Sequence, residues 1–571
     1  MNLKEKLKKF KICKEYTILL IIILLNIAIR IPIIPHEMGS DSFVYHSLTN
    51  SILAEQKIKW DFSLSDLVST DVSSLPAINS LDLAMLRLYT GLSIEELILL
   101  FSIFLGMLGV FSSYLMAREI FKGTLLRVLA VLLFSLSPTF ISISLFTIST
   151  RGLFMAVLPL LIWSFLRLLN TGERSHMLLC LLFFALLVPV HHLFFLTYAF
   201  LGAFIVTEAV SAARRKLNPQ DIEPHLPTLL FLSALLVLAF AAFMVNRMLG
   251  ILQLNALLLA MIVAAACLTF SFKGRFHQIY GRMRNISNAS RLALPMILVL
   301  VLVALLFLQF FSGLAFFERL KYGYKSGLYF NGDSNYIVFL NMCIDYGSSM
   351  GILLPFALAG FLLMLKNVNE NKTHLFFLIS FLACSSILIH GEYMTIFLLP
   401  VCSIFITLGL IGAISKLKKH PRLLAVSTVV CISATLLFSM YMTEHWTFKV
   451  DRAQNREWLQ DRTIYSALFL DGINRESANV TTNNGAIISR ITVLISKFSV
   501  GWIYEIMPYS YDDTNIKRLI SEKDIGYVVE DKNIPNHLTG SSQLYPAPFL
   551  VGVRSNGDRI YDNGLEIIWV I

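Results

Sequence analysis

Apolar segments of about twenty residues recur along this chain from Tyr16 to Thr443. A helix of that length crosses the hydrocarbon core of a bilayer, which is roughly 30 Å thick. The composition agrees, because 56% of the 571 residues are hydrophobic, only 15% are charged, and the mean hydropathy is +0.69. Soluble domains are about half apolar and a quarter charged. The sequence therefore predicts a polytopic α-helical membrane protein.

The apolar segments predict about thirteen transmembrane helices, with eleven to thirteen as the range, because three neighbouring pairs have almost no loop between them. The predicted spans are residues 16–35, 96–116, 124–142, 152–168, 176–191, 193–212, 226–246, 250–271, 292–312, 348–366, 373–390, 393–414 and 423–443. Residues 1–443 are thus predicted to form the transmembrane domain. Residues 444–571 are predicted to form a small soluble α/β domain.

The short loops predict the orientation of the chain, since Lys and Arg collect on the cytoplasmic side. With the N-terminus inside, the cytoplasmic loops hold 25 Lys and Arg residues and the opposite loops about 9. We therefore expect a multi-pass protein of the cell membrane with a cytoplasmic N-terminus and an extracytoplasmic C-terminal domain. The net charge of +10 largely reflects this bias and does not indicate a nucleic-acid partner.

Three long segments, 36–95, 313–347 and 444–571, all lie on the predicted outer side. In the first, Val44, Leu48 and Ile52 recur at helical spacing, which predicts an amphipathic helix in the membrane interface, and residues 78–92 predict a second one. In the last segment, residues 515–522 predict a helix and residues 525–530 a buried strand. The sequence Asp-Asn-Gly at 562–564 predicts a β-hairpin.

Ionisable residues avoid the centres of the predicted spans, where such residues usually mark ion pathways. Ion-coupled transport is therefore disfavoured. The ionisable groups crowd the predicted outer ends of the helices instead, at His36, Glu37, Asp41, Arg151, His191, His192, Arg247, Glu318, Arg319, Lys321, Lys325 and Glu392.

A carboxylate beside basic groups at the outer membrane surface suits transfer of a sugar from a lipid phosphate. The acceptor hydroxyl needs a general base, and the phosphate leaving group needs positive charge. Asp41 is the candidate base and Glu37 a second catalytic candidate. The candidate lipid-phosphate ligands are Arg151, Arg247, Arg319 and Lys321, and further candidate site residues are His46, His191, His192, Glu318 and Glu392. The alternative for these residues is a structural role as helix caps and interfacial anchors.

A divalent cation, Mg²⁺ or Mn²⁺, is a second expectation at this site. Asp41 and Glu318 are the candidate metal ligands, and Glu37 and His46 could add oxygen and nitrogen donors.

The start of the chain resembles the GT-C fold glycosyltransferases. A basic N-terminus and one signal-anchor helix end in Arg-Ile-Pro at 30–32, and residues 39–46 read Gly-Ser-Asp-Ser-Phe-Val-Tyr-His. The order of these features is similar to that of archaeal proteins related to the catalytic subunit of oligosaccharyltransferase. The resemblance implies that Asp41, in the first outer loop, is the catalytic or metal-binding carboxylate.

Two differences from oligosaccharyltransferase catalytic subunits make the predicted reaction more specific. Those subunits have an acidic pair in the second outer loop and a Trp-Trp-Asp-Tyr-Gly motif, whereas residues 139–151 lack acidic residues and the C-terminal domain lacks that motif. We therefore expect a monosaccharide transferase that uses a polyprenyl-phosphate-linked sugar and a lipid, glycan or protein acceptor. The alternative is a flippase for lipid-linked oligosaccharides, another transporter or a non-catalytic envelope-assembly protein.

Overall fold

Helices make up most of the computed structural model of this protein. It describes residues 3–32, 36–55, 77–187, 190–191, 197–214, 298–304, 335–369, 371–385, 391–415, 421–444, 461–473, 479–482, 514–522, 525–531, 553–555, 557–563 and 566–570.

The described helices before residue 445 are α1 (Leu3–Arg30), α2 (Ser40–Glu55), α3 (Ala77–Thr90), α4 (Ile94–Ile120), α5 (Thr124–Ser135), α6 (Pro138–Ser142), α7 (Thr150–Thr171), α8 (Arg174–Leu187), α9 (Tyr198–Arg214), α10 (Asn335–Met350), α11 (Pro355–Lys366), α12 (Lys372–Ser385), α13 (Gly391–Ser415) and α14 (Pro421–Glu444). After them come α15 (Asp461–Ile473), β1 (Asn479–Thr482), α16 (Thr514–Glu522), β2 (Ile525–Asp531), β3 (Asp558–Asp562) and β4 (Glu566–Val570).

Within the described residues, three helical segments are long and apolar enough to cross a membrane: α4, α7 and residues 394–413 of α13. A further pair, α10 and α11, meets at an 88° bend. The protein is a mostly helical membrane protein, as predicted. The number of spans, the orientation and the domain boundary at residue 444 stay predictions, and the predicted spans 226–246 and 250–271 lie outside the described residues.

One side of α4 faces outward from the helical bundle. Leu100, Phe104, Met107 and Phe111 recur every three to four residues and are each 42–56% exposed. An apolar stripe at this spacing is the side that a membrane helix presents to lipid. The opposite side of α4 packs against α1, α5 and α7.

The core lies around α7, which packs against α4, α8, α9 and α13. Aromatic rings fill it: the Phe154 and Phe397 rings meet edge to face at 5.3 Å, and Phe165 contacts Phe184, Phe204 and Phe376. These rings fix α7, and α7 begins at the segment that carries the candidate site.

The predicted span 124–142 is not one continuous helix. Helix α5 ends at Ser135 and α6 begins at Pro138, with the Ser137 hydroxyl accepting a hydrogen bond from the Phe140 N–H at 3.2 Å. Proline cannot donate a backbone hydrogen bond, and serine caps helix N-termini, so these two residues restart the helix. The predicted span 348–366 is likewise interrupted, by the bend before Pro355.

Two glycines let α11 and α13 pack backbone to backbone. A Cβ on Gly360 would overlap the carbonyl of Phe405, and a Cβ on Gly409 would overlap the carbonyl of Phe356. Small residues at such crossings allow membrane helices to approach closely.

Gly360→Ala is therefore expected to destabilise the protein by about 1–3 kcal/mol, because the two helices must separate to admit the methyl group. The measurement is the thermal unfolding midpoint in detergent. Gly347→Ala is the matched control, since a Cβ on that helical glycine meets nothing within 4 Å. Equal midpoints for the two variants would contradict the packing described here.

The C-terminal segment forms a four-stranded sheet in the order β1-β2-β4-β3. Strands β1 and β2 are parallel, and β4 is antiparallel to both β2 and β3. The β3–β4 hairpin closes with a hydrogen bond from the Asn563 N–H to the Glu566 carbonyl at 3.1 Å. The predicted helix at 515–522, the strand at 525–530 and this hairpin are confirmed. That they belong to a separate outward domain stays a prediction.

Helices α2 and α3 lie where interfacial helices were predicted. They pack against each other, and near the end of α3 Leu88 and Tyr89 are 76% and 84% exposed. The helices are confirmed, and their position in the membrane interface stays a prediction.

Candidate functional site

The start of α2 is fixed against the segment between α6 and α7. The Met38 N–H donates to the Phe146 carbonyl at 3.1 Å. Gly39 has a φ of +96°, and a Cβ there would lie 2.9 Å from the Thr147 Oγ1. Only glycine fits both the backbone angle and the close approach. This contact brings the first turn of α2, which contains Asp41, to the start of α7.

Asp41 forms an ion pair with Arg151. The Arg151 Nη2 lies 2.8 Å from the Asp41 Oδ2, and the Ser149 hydroxyl donates to the same oxygen at 3.4 Å. Neither contact involves Oδ1. The Asp41 side chain is 39% exposed and that of Arg151 is 23% exposed, so Oδ2 is held, and Oδ1 has no hydrogen bond to the described residues.

Arg151 is placed by the first turn of α7. Ser149 is the N-cap residue, and its hydroxyl accepts from the Arg151 N–H at 3.2 Å. Tyr45, one turn further along α2, is buried. Burial raises the pKa of the Tyr45 phenol, so the group stays neutral. Asp41 and Tyr45 lie four residues apart on α2 and therefore share one face of it.

Glu37 lies just before α2 and is fully buried. Its Oε2 accepts from the Ser42 hydroxyl, and its Oε1 bonds the His46 Nδ1. The Ser42 hydroxyl in turn accepts from the Ile148 N–H at 3.1 Å. Each Glu37 oxygen therefore has a hydrogen-bond partner, and the carboxylate has no solvent exposure, in contrast to that of Asp41.

A buried arginine, Arg30, lies at the end of α1. Its guanidinium donates to Asn26 Oδ1 at 2.9 Å and to the Ser144 hydroxyl at 2.8 Å, and stands 5.2 Å from the centre of the Phe140 ring. Among the described residues no carboxylate pairs with it. Sequence analysis did not single out Arg30 as a site residue, although a basic residue at the end of an apolar helix was a usable signal. It anchors the segment that leads to Arg151.

Of the other predicted site residues, only the side chain of His191 is described, and it lies apart from this group. His191 is buried, with its ring 5.6 Å from that of Phe154 in the core. Glu392 lies in the first turn of α13, but its side chain is outside what the structure describes. The remaining predicted residues, His192, Arg247, Glu318, Arg319 and Lys321, lie outside the described residues altogether. The structure thus brings together Asp41, Arg151, Glu37 and His46.

The described residues do not assemble a metal site. No group of three or more His, Cys, Asp and Glu side chains in this part of the chain is arranged to hold an ion. Asp41 is bound to a guanidinium, and both Glu37 oxygens are engaged. Asp41 with Glu318 as metal ligands, and the need for Mg²⁺ or Mn²⁺, stay predictions.

Comparison with known proteins identifies similar solved structures. No protein-family model matches the sequence, and no curated protein matches it. The crystal structure of the Archaeoglobus fulgidus oligosaccharyltransferase in its apo form is 14% identical and covers 90% of this chain and 69% of that chain, with a TM-score of 0.60. The same enzyme tethered to an acceptor peptide with an NVT sequon gives a TM-score of 0.62.

This chain shares the fold of that oligosaccharyltransferase. The resemblance to the GT-C fold, drawn from residues 30–32 and 39–46, is thereby confirmed at the level of fold. ArnT from Cupriavidus metallidurans bound to undecaprenyl phosphate is 10% identical over 98% of this chain and 97% of that chain, with a TM-score of 0.45.

Proposed function

We propose that this protein is a membrane glycosyltransferase that moves a sugar from a polyprenyl-phosphate-linked donor to an acceptor on the outer face of the membrane. The observation that carries the proposal is the ion pair of Asp41 and Arg151, in which a partly exposed carboxylate binds a guanidinium through Oδ2, while Oδ1 has no hydrogen bond to the described residues. Sugar transfer from a phosphate is accelerated by a base for the acceptor hydroxyl and by positive charge at the leaving group, and the pair offers both.

In the proposed reaction, Asp41 Oδ1 takes the proton of the acceptor hydroxyl. The acceptor oxygen forms a bond to the anomeric carbon, and the bond from that carbon to the phosphate oxygen breaks on the opposite side, which inverts the configuration. The electron pair stays on the phosphate, so no acid is required. A guanidinium has five N–H donors, and Arg151 can thus orient Oδ2 of Asp41 while stabilising the phosphate.

The remaining parts of the proposal concern topology and substrates. About thirteen spans would leave the N-terminus in the cytoplasm and residues 444–571 outside, where that domain would border the acceptor. Arg247, Arg319 and Lys321 are proposed as further phosphate ligands. A monosaccharide donor is favoured because residues 139–151 lack acidic side chains, and the acceptor is a lipid, a glycan or a protein.

The test is a transfer assay with purified protein in nanodiscs. A panel of polyprenyl phosphates, each bearing one radiolabelled hexose or pentose, is incubated with the protein and a membrane extract as acceptor. The proposal expects one donor to be consumed, with polyprenyl phosphate released and label on a product of inverted anomeric configuration. Consumption of no donor, together with movement of a lipid-linked sugar across vesicle membranes, would replace the transferase with a flippase.

A further inference from the structure

The buried carboxylate of Glu37 has no part in the proposed proton transfer. It is fully enclosed, and among the described residues only His46 and Ser42 bind it. Burying a carboxylate is unfavourable unless hydrogen bonds and a charged partner compensate. Ser42 and His46 provide this compensation for Glu37, so the role of the carboxylate is found in what these two bonds hold in place.

The hydrogen bonds of Glu37 lead to the segment before α7. Glu37 accepts from the hydroxyl of Ser42, and this hydroxyl accepts from the Ile148 N–H at 3.1 Å. Ser42 directly follows Asp41, and Ile148 lies three residues before Arg151. Glu37 thus orients a hydroxyl that ties the helix of the base to the segment of the cation. We call the group formed by Glu37, Ser42, His46 and the Ile148 N–H the Glu37 clasp.

The clasp and Asp41 use neighbouring positions at the start of α2. Asp41 and Ser42 are consecutive residues, and both contact the segment before Arg151: the Ser42 hydroxyl accepts from the Ile148 N–H, and Asp41 Oδ2 bonds Ser149 and Arg151. The bond between Ile148 and Ser42 therefore restricts rotation of the first turn of α2 and keeps Asp41 Oδ2 in register with Arg151.

We infer that Glu37, held by His46, is a positioning residue that aligns Asp41 with Arg151, and that it is not a second catalytic carboxylate. This inference rests on the proposed function. It replaces the catalytic role that the sequence predicted for Glu37, and it gives His46 a structural partner in place of the metal ion that the sequence suggested. Misplacing a reacting group by about 1 Å costs on the order of 10²-fold in rate, which is the effect expected when the clasp is broken.

A matched control exists in the same part of the fold. His36 Nδ1 lies 3.2 Å from Glu95 Oε1, which is the same pair of chemical groups, but these side chains are 21% and 29% exposed. Neither contacts Ser42 or Ile148 in the bonds described above. Glu95→Ala therefore removes an equivalent carboxylate without touching the clasp.

The kinetic test compares Glu37→Ala, Glu37→Gln and Glu95→Ala in the full-length protein. For Glu37→Ala we expect kcat to fall about 10²-fold, with the donor KM changed less than about threefold. Glu37→Gln can still accept from Ser42 and donate to His46, so it should recover to within about tenfold of wild type. Glu95→Ala should match wild type. If Glu37→Gln is as inactive as Glu37→Ala, the inference is overturned and the catalytic role of Glu37 is restored.

A second measurement does not depend on activity. Hydrogen exchange of the Ile148 amide should be faster by at least about tenfold in Glu37→Ala and in Ser42→Ala, and unchanged in Glu95→Ala, because the Ser42 hydroxyl that Glu37 orients accepts from that amide. Unchanged exchange in Glu37→Ala would overturn the inference. The Ile148 amide could exchange faster in Glu37→Ala while the wild-type protein consumes no donor. That result would support the clasp and would overturn only the proposed function.

Discussion

Asp41→Asn is expected to lower the rate of sugar transfer by about 10³-fold, within the 10²- to 10⁴-fold range of general base catalysis. Asparagine keeps the size of the side chain and an oxygen that can accept from Arg151 and Ser149. It cannot take a proton at the position of Oδ1, because an amide NH2 group stands there. The measurement is the transfer rate at saturating donor and acceptor in nanodiscs.

The control for this variant is Asp82→Asn, which neutralises an exposed carboxylate on α3. Both variants should insert in the membrane and elute as wild type does, because the Asp41 side chain is 39% exposed and asparagine has nearly the same size. Transfer by Asp41→Asn within tenfold of wild type would remove Asp41 as the base. It would leave the fold and the ion pair as described.

Local signals in the sequence were enough to place several elements. The apolar runs at 96–116, 152–168 and 393–414 became α4, α7 and α13, each longer than predicted by a few residues at its ends. Polar residues at helix ends explain the difference, since Ser93 and Glu96 form a capping box that extends α4 beyond its apolar part. Periodicity detects the buried or lipid-facing part of a helix and not its caps.

The candidate site was predictable only in part, because its contacts join distant segments. Asp41 and Arg151 were each singled out, but they are 110 residues apart, and their pairing depends on the Met38–Phe146 contact and on Gly39. Glu37 and Asp41 look alike in the sequence, yet one is buried and the other half-exposed. Tertiary packing determines which of the two carboxylates is buried, and the local sequence around each residue does not show it.

A shared fold leaves the chemistry open, because one fold hosts many functions. The segment before α7 brings Ser149 and Arg151 to Asp41, so the group that pairs with Asp41 is a cation supplied by the protein itself. Substitutions of Arg151 therefore test the chemistry of the site separately from the fold.

Arg151→Gln is expected to lower transfer by about 10²- to 10³-fold, because the phosphate loses its positive partner as charge develops on it. Arg151→Lys keeps the positive charge and loses the planar guanidinium with its paired N–H donors. We therefore expect a rate between those of wild type and Arg151→Gln. The control is Arg87→Gln, an exposed arginine of α3 whose guanidinium contacts the Leu92 carbonyl.

The double variant of Asp41→Asn with Arg151→Gln separates two roles for Arg151. If the guanidinium serves both the base and the phosphate, the two substitutions disable one unit, and the double variant should lose little more than Asp41→Asn alone. Losses that multiply would mean that Arg151 acts on the phosphate independently of Asp41. Arg151→Gln with an unchanged rate and an unchanged donor KM would leave the ion pair a structural contact, and the phosphate would then need another cation.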